Sequence, residues 1–200
     1  NFEKTALERN LEVLQKAKLI SSANYTLELF TSPYLEIEIK KDIASWVNKT
    51  ILFNISAGHI SRYWEVNKWA ALATFCNSLS YRTVIVFKPQ DIGMAKKIHQ
   101  LQPGVILFPT QSIKEIIVLM PKVQLVITPD TSAVHIASAF NIPQIDLFPA
   151  VTWNFNKFRP LSSRNIVIQP EKGALIKTIS EKEVISAVKK YLLDELVPCL

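Results

Sequence analysis

Residues 126–148 read VITPDTSAVHIASAFNIPQIDLF, and they place an acid, two hydroxyls and a histidine where an apolar run gives way to a helix-like segment. At a helix start, Asp130, Thr131 and Ser132 would present hydroxyls and unpaired backbone N–H groups. The positive end of the helix dipole would lie behind them, an arrangement that suits a phosphate. His135 follows Thr131 by four residues, so it is expected one turn up the same face, able to donate to a phosphate oxygen or a sugar hydroxyl. The same residues would equally serve structure alone, with Asp130 or Thr131 as N-cap and His135 half-buried and satisfied.

Two further stretches carry comparable chemistry. In 56-SAGHISRYW-64, Gly58 permits an unusual turn, and Arg62 offers a planar fork that matches a diphosphate. The alternative is a solvated arginine beside a core Trp64. Asp91 opens a helix after an apolar run at 83–87 and would either cap it or accept hydrogen bonds from a ribose diol. Trp153, Phe155 and Phe158 follow the last part of the opening stretch. They would close over a ligand, dock a partner domain, or fill the core.

The elements that must position these groups follow from hydrophobic pattern. Near-continuous Val/Ile/Leu runs predict strands at 51–56, 83–87, 105–108, 124–128, 144–148 and 166–168, covered on both faces. Helical spacing predicts helices at 65–79, 91–101, 112–120, 131–141 and 181–196. The last opens with Ser180 and Glu183 as a capping box. Strands joined by helix-length connections imply an α/β fold, a Rossmann-like parallel sheet with helices on both faces. In such a sheet every strand-to-helix loop emerges at one edge, where ligands bind. The segments 56–64, 88–91, 129–135 and 149–158 therefore become neighbours. Residues 1–49 differ: a charged helical pattern over 3–20, an extended run at 25–39 and another helical pattern at 41–48 read as a lead-in on the sheet's edge. The domain division is thus 1–49 for lead-in and edge elements and 50–200 for the Rossmann-like domain.

Composition narrows the chemistry. The chain has 200 residues, 48% hydrophobic and 20% charged, the balance of a globular protein. Four glycines, at 58, 93, 104 and 173, can write neither a dinucleotide fingerprint nor a phosphate-binding P-loop. The three histidines are scattered and no C-x-x-C or D-x-D occurs, so a metal-dependent site is not expected. Net charge of +6 suits an anionic ligand or an acidic membrane face. Without a dense basic block interleaved with aromatics, it favours no nucleic acid. Cys76 and Cys199 form no disulfide framework, in keeping with a reducing cytoplasm. No apolar run approaches the ~18 residues of a membrane span, and nothing after Asn1 reads as a signal peptide.

Two segments carry a family resemblance. Residues 130–153, DTSAVHIASAFNIPQIDLFPAVTW, resemble the D-T-G-x-x-H-l-A-x-A-l-x-x-P-x-x-x-l-F-G-x-T pattern of glycosyltransferase family 9, the heptosyltransferases of bacterial lipopolysaccharide core synthesis. Residues 54–73, NISAGHISRYWEVNKWAALA, are similar to that family's strand, small-residue turn and helix. Weaker agreement covers 84–98 and 1–20, the latter resembling the interlobe connection. The chain differs from the pattern at Ser132 and Pro149, which replace glycines, and at Phe87 and Lys88, which replace small residues.

The resemblance implies the carboxy-terminal, donor-binding lobe of a two-lobe (GT-B) enzyme that transfers heptose from ADP-heptose to the lipopolysaccharide inner core. It implies that Thr131, Ser132 and His135 meet the diphosphate, with Asp130 on the sugar hydroxyls. Arg62 stands for the phosphate-neutralising lysine and Asp91 for the acid near the ribose. It further implies no cofactor, a metal-independent reaction on an ADP-sugar, and an anionic lipopolysaccharide-core acceptor. The protein is expected in the cytoplasm, with peripheral contact at the inner-membrane face. The family's general base lies in the amino-terminal lobe and has no counterpart here, so this chain is expected to bind donor without catalysing transfer. The alternatives are another two-lobe sugar-nucleotide enzyme, epimerase-like, and a non-enzymatic α/β binding module in which these polar residues are caps.

Overall fold

A computed structural model describes residues 3–21, 27–30, 33 and 49–193. Its centre is a six-stranded, wholly parallel sheet. The strands are β1 (Thr50–Asn54), β2 (Arg82–Phe87), β3 (Ile106–Pro109), β4 (Leu125–Pro129), β5 (Gln144–Leu147) and β6 (Asn165–Ile168), in the spatial order 3-2-1-4-5-6. All six strands read from the apolar runs are present, with ends shifted by one or two residues.

Alternate residues of each strand feed two separate cores, as the two-residue period of a pleated strand requires. Ile51, Phe53, Ile85, Ile127 and Ile145 face one side, where α2 (Val66–Ser78), α3 (Ile92–Leu101) and α7 (Glu181–Leu193) pack. Leu52, Val84, Val86 and Val126 face the other, against α4 (Ile113–Leu119) and α5 (Ser132–Ala139). The helices present matching stripes. In α2 the buried Trp69, Leu72, Ala73 and Cys76 repeat at helical spacing. Helix α7 begins with the expected capping box: Ser180 N–H donates to Glu183 Oε2 at 3.0 Å, and Glu183 N–H to Ser180 Oγ at 3.2 Å.

Two sequence expectations change. The stretch after β5 holds a further helix, α6 (Thr152–Phe158), rather than a loop. Gly58 adopts no left-handed conformation; among the described glycines only Gly173 does, at φ +87°. In the lead-in, α1 (Ala6–Lys16) is capped by Thr5 and Glu8 and tied to the end of α6: Arg159 donates to Glu3 O at 2.9 Å and pairs with Glu8 at 3.3 Å. The extended run at 25–39 and the helical pattern at 41–48 lie almost wholly outside the described residues, as do the last residues of the predicted 181–196 helix.

The loop after β1 is anchored by aromatics. Trp64 is 1% exposed, donates from Nε1 to Ile179 O at 2.9 Å and meets Trp69 edge-on at 4.9 Å. Trp69 in turn lies 5.2 Å from Phe53 of β1. This fixes the backbone two residues beyond Arg62. Truncation of a fully buried indole leaves a cavity and an unpaired carbonyl, so Trp64→Ala is expected to cost about 3–5 kcal/mol in urea unfolding. A loss under about 1 kcal/mol would mean that the loop is held by other contacts.

Candidate functional site

Strands β1, β2 and β3 run outward in one direction, and the chain then returns so that β4 pairs with the other side of β1. At such a reversal the loops leaving β1 and β4 diverge and open a crevice at the carboxyl edge. Asn54, the last residue of β1, spans it. Its Nδ2 donates to Thr128 Oγ1 and to Thr131 Oγ1, each at 3.0 Å, and its Oδ1 accepts from Ser56 N–H at 3.3 Å.

Thr131 is the N-cap of α5, accepting from Ala133 N–H at 3.3 Å. Its hydroxyl also lies 3.1 Å from Thr128 Oγ1. It therefore turns into the sheet edge, and the capping role anticipated for this residue is realised. Asp130 is almost wholly buried and does not cap. Its Oδ2 accepts from Asn154 Nδ2 of α6 at 2.8 Å. Arg62, in the short 3₁₀ turn Ile60–Arg62, donates through one guanidinium nitrogen to Asp130 O at 3.1 Å and stands 3.4 Å from Oδ2. Only one nitrogen of the fork is engaged there. About a third of the Arg62 side chain remains exposed, so its other donors can meet a ligand.

Asp91 belongs to a second cluster on the same edge. It makes no capping hydrogen bond to α3. Instead Ser56 Oγ donates to its Oδ2, the Tyr63 hydroxyl lies 3.1 Å from both carboxylate oxygens, and Lys88 Nζ stands 3.8 Å away. Lys88 also donates from Nζ to Ala57 O at 2.8 Å and from its backbone N–H to Ser56 Oγ at 2.9 Å. Asp91 thus ties the β1 loop to the β2 loop, and Tyr63 sits beside Arg62 in sequence.

Ser132 and His135 open onto a cavity of about 460 Å³ between α5, α6 and α1, whose walls include Leu7, Ile113, Ile136 and Phe158. Arg62, Asp91 and Asp130 do not line it. The six predicted residues therefore share one edge of the sheet but divide into three groups: Arg62 with Asp130 and Thr131, Asp91 with Lys88, and Ser132 with His135. The His135 ring lies 6.5 Å from Phe158. His135 is an exposed residue, yet partial desolvation of its ring lowers its pKa below the usual histidine value, and the Asp130 charge opposes that shift. Of the three aromatics after β5, Trp153 is 56% exposed, Phe155 stacks edge-on against Phe148 at 5.7 Å, and Phe158 faces His135.

Asn54, Ser56, Tyr63, Lys88 and Asn154 complete these clusters and were not proposed as site residues from sequence. Asn54 and Ser56 stood at the end of a strand, where side-chain amides and hydroxyls meet a loop edge. Asn154 lay in a segment read as a loop. Among the described residues no group of three or more His, Cys, Asp or Glu side chains is arranged to hold a metal ion, and no helix is long and apolar enough to cross a membrane.

The family model for glycosyltransferase family 9 (heptosyltransferase) matches residues 1–185. The chain belongs to that family. No curated protein sequence matches it. Among solved structures it is similar to the family 9 glycosyl transferase from Veillonella parvula, with a TM-score of 0.85 and 20% identity over 96% of this chain and 60% of that one. It is also similar to the Escherichia coli ADP-heptose lipopolysaccharide heptosyltransferase II, with a TM-score of 0.70 and 19% identity over 85% of this chain and 54% of that one. For Escherichia coli heptosyltransferase WaaC with ADP the TM-score is 0.72 and the identity 15%, over 94% of this chain and 57% of that one. At these identities the likeness is one of fold, and the chain spans between half and two thirds of each relative.

The opposed influences on His135 give a signed expectation. In an NMR titration its midpoint should fall below the ordinary value of about 6.5. Asp130→Asn, which removes the charge that favours imidazolium, should move it further down. A midpoint at or above the ordinary value, or an upward move in the variant, would contradict the geometry.

Proposed function

We propose that this member of glycosyltransferase family 9 is the donor-binding part of an enzyme that transfers heptose from ADP-heptose to the lipopolysaccharide inner core. The observation that carries the reading is the convergence of Arg62, Asp130 and the Thr131-capped start of α5 at the β1/β4 reversal. Family membership supplies the reaction class. A solved relative that holds ADP supports the choice of nucleotide.

In this reading residues 50–200 form the nucleotide-sugar-binding domain and 1–49 the connection to the remainder of the enzyme. The diphosphate lies against the first turn of α5, where unpaired amides and the helix dipole favour negative charge. Arg62 supplies the cation, through the guanidinium donors that Asp130 leaves free. As the glycosidic bond to the β-phosphate breaks, charge grows on the departing ADP, and a preorganised arginine and helix terminus stabilise that state more than the ground state. No metal is required for this step. Asp130 Oδ2 is engaged by Asn154 and Arg62, which leaves Oδ1 to accept from a sugar hydroxyl. Ser132 and His135 reach the donor from the neighbouring cavity, and Asp91 with Lys88 borders the nucleoside. Deprotonation of the acceptor hydroxyl needs a base within hydrogen-bond reach, and we assign that group to a part of the enzyme beyond these residues. The chain by itself then binds donor and does not turn over. The enzyme works in the cytoplasm and meets its anionic lipid acceptor at the inner-membrane face.

Calorimetric titration tests this directly. ADP should bind in preference to UDP and GDP. Arg62→Ala should weaken ADP about 10- to 100-fold, the scale of a lost charge-assisted contact, while adenosine binding changes little. Equal losses for ADP and adenosine would contradict the phosphate role, and a preference for UDP would transfer the chain to a different sugar-nucleotide chemistry.

A further inference from the structure

Among the described residues, the buried side-chain atoms without a hydrogen-bond partner belong to Thr50, Trp69, Gln144 and Asp146, and Asp146 contributes both of its carboxyl oxygens. It has no solvent exposure. Its position explains why this matters. Ile145 and Leu147 on either side of it face the α2 and α7 core, so Asp146 points to the α5 face. Directly across the ladder is Thr128, and across β6 is Val167. Asp130 continues the β4 ladder by donating its N–H to Leu147 O at 3.0 Å. Two residues beyond Thr128, it occupies the same face as Asp146, a diagonal neighbour. Two carboxyl groups therefore share one buried patch beneath the start of α5, and the protein supplies donors to one of them. Asn154 and Arg62 both serve Asp130.

An isolated carboxylate in such surroundings is very costly, and the group keeps its proton instead. We propose that Asp146 is a positioning residue of the donor site: it stays a neutral acid, so that Asp130 and Asp146 together carry one negative charge, localised on Asp130 by Asn154 and Arg62. The role in donor binding rests on the function proposed above; the protonation state does not. A second negative charge here would cancel the positive end of α5 and draw Arg62 inward, against any diphosphate. The other charged or titratable groups on this face are few. His135 lies on α5, and Lys157 of α6 is turned onto the Phe158 ring. Glu115 of α4 accepts from Gln111 N–H, and β6 offers Val167. Burial first, and then the Asp130 charge, push the Asp146 carboxyl well above the usual carboxylate range.

The unfolded chain releases this proton near pH 4, whereas the folded protein retains it, so stability falls as pH rises above about 4 until the folded-state pKa is passed. Asp146→Asn removes that dependence while keeping size and shape. In urea unfolding from about pH 4 to pH 7, the folding constant of the variant relative to wild type should improve by up to about tenfold per pH unit. Parallel pH curves would overturn the proposal. Should the asparagine variant not fold, Asp146→Ser serves in the same series. Independently, ¹³Cγ-aspartate NMR of the wild-type chain should show one carboxyl still protonated at neutral pH; ionisation of every aspartate by about pH 5 would overturn it. ADP titrations then separate the two claims. As pH rises, wild type should lose ADP affinity where that resonance titrates, whereas Asp146→Asn should show no loss at that pH. A pH profile shared by both overturns the positioning role. Absence of ADP binding in both refutes the donor reading, while the NMR and unfolding results still decide the proton on Asp146.

Discussion

The molecule depends on the hydrogen-bonded span that Asn54 makes across the point where strand order reverses. Beyond the ends of β1 and β4 the backbone ladder stops, and the two loops have no regular partner for each other. One side-chain amide bridges to Thr128 and Thr131 and fixes the start of α5 relative to the β1 loop. That loop is held from behind by Trp64 and Trp69 and from the side by Asp91, so Arg62 is delivered to Asp130 from a rigid base. An edge built in this way brings residues 68 positions apart in the chain into contact and presents a helix terminus beside a partly exposed guanidinium.

The cost of the arrangement is visible in its polarity. Thr128, Asp130 and Asp146, with Asn154 of α6, are all buried at one end of a sheet whose strands are mostly apolar. Buried polar groups are destabilising unless paired, and natural proteins tolerate such departures where function requires them. Asn154 offsets part of the cost at Asp130. Asp146 receives no such compensation from the protein, and a proton is the smallest correction available.

Much of this was legible in the chain itself. Apolar runs too continuous for a one-sided sheet located all six strands, and the helix expected at 65–79 is α2. The gathering of the loops at one edge followed from parallel topology alone. Helix α6 was not legible because Thr-Trp-Asn-Phe-Asn-Lys-Phe is rich in residues of middling helix propensity. It is made helical by tertiary contacts, Asn154 to Asp130 and Phe155 to Phe148. Asp91 sits at a helix start, where a cap and a ligand-binding acid look the same in sequence; only the positions of Ser56, Tyr63 and Lys88 reveal that it ties two loops together. Asp146 lay inside an apolar run as one acid among hydrophobes. Its environment depends on which strand pairs beside it, and the pattern along a single strand does not record that. The separation of Ser132 and His135 from Arg62 across α5 is likewise a matter of side-chain direction, which four-residue spacing alone did not decide.

The central claim is that the β1/β4 reversal gathers an anion-binding edge, and a crystal structure of the chain grown with ADP examines it most directly. The diphosphate should lie against the first turn of α5, with a guanidinium N–H of Arg62 that is not engaged by Asp130 donating to a phosphate oxygen. ADP bound elsewhere, with no ligand atom near Arg62, Thr131 or Ser132, would contradict it.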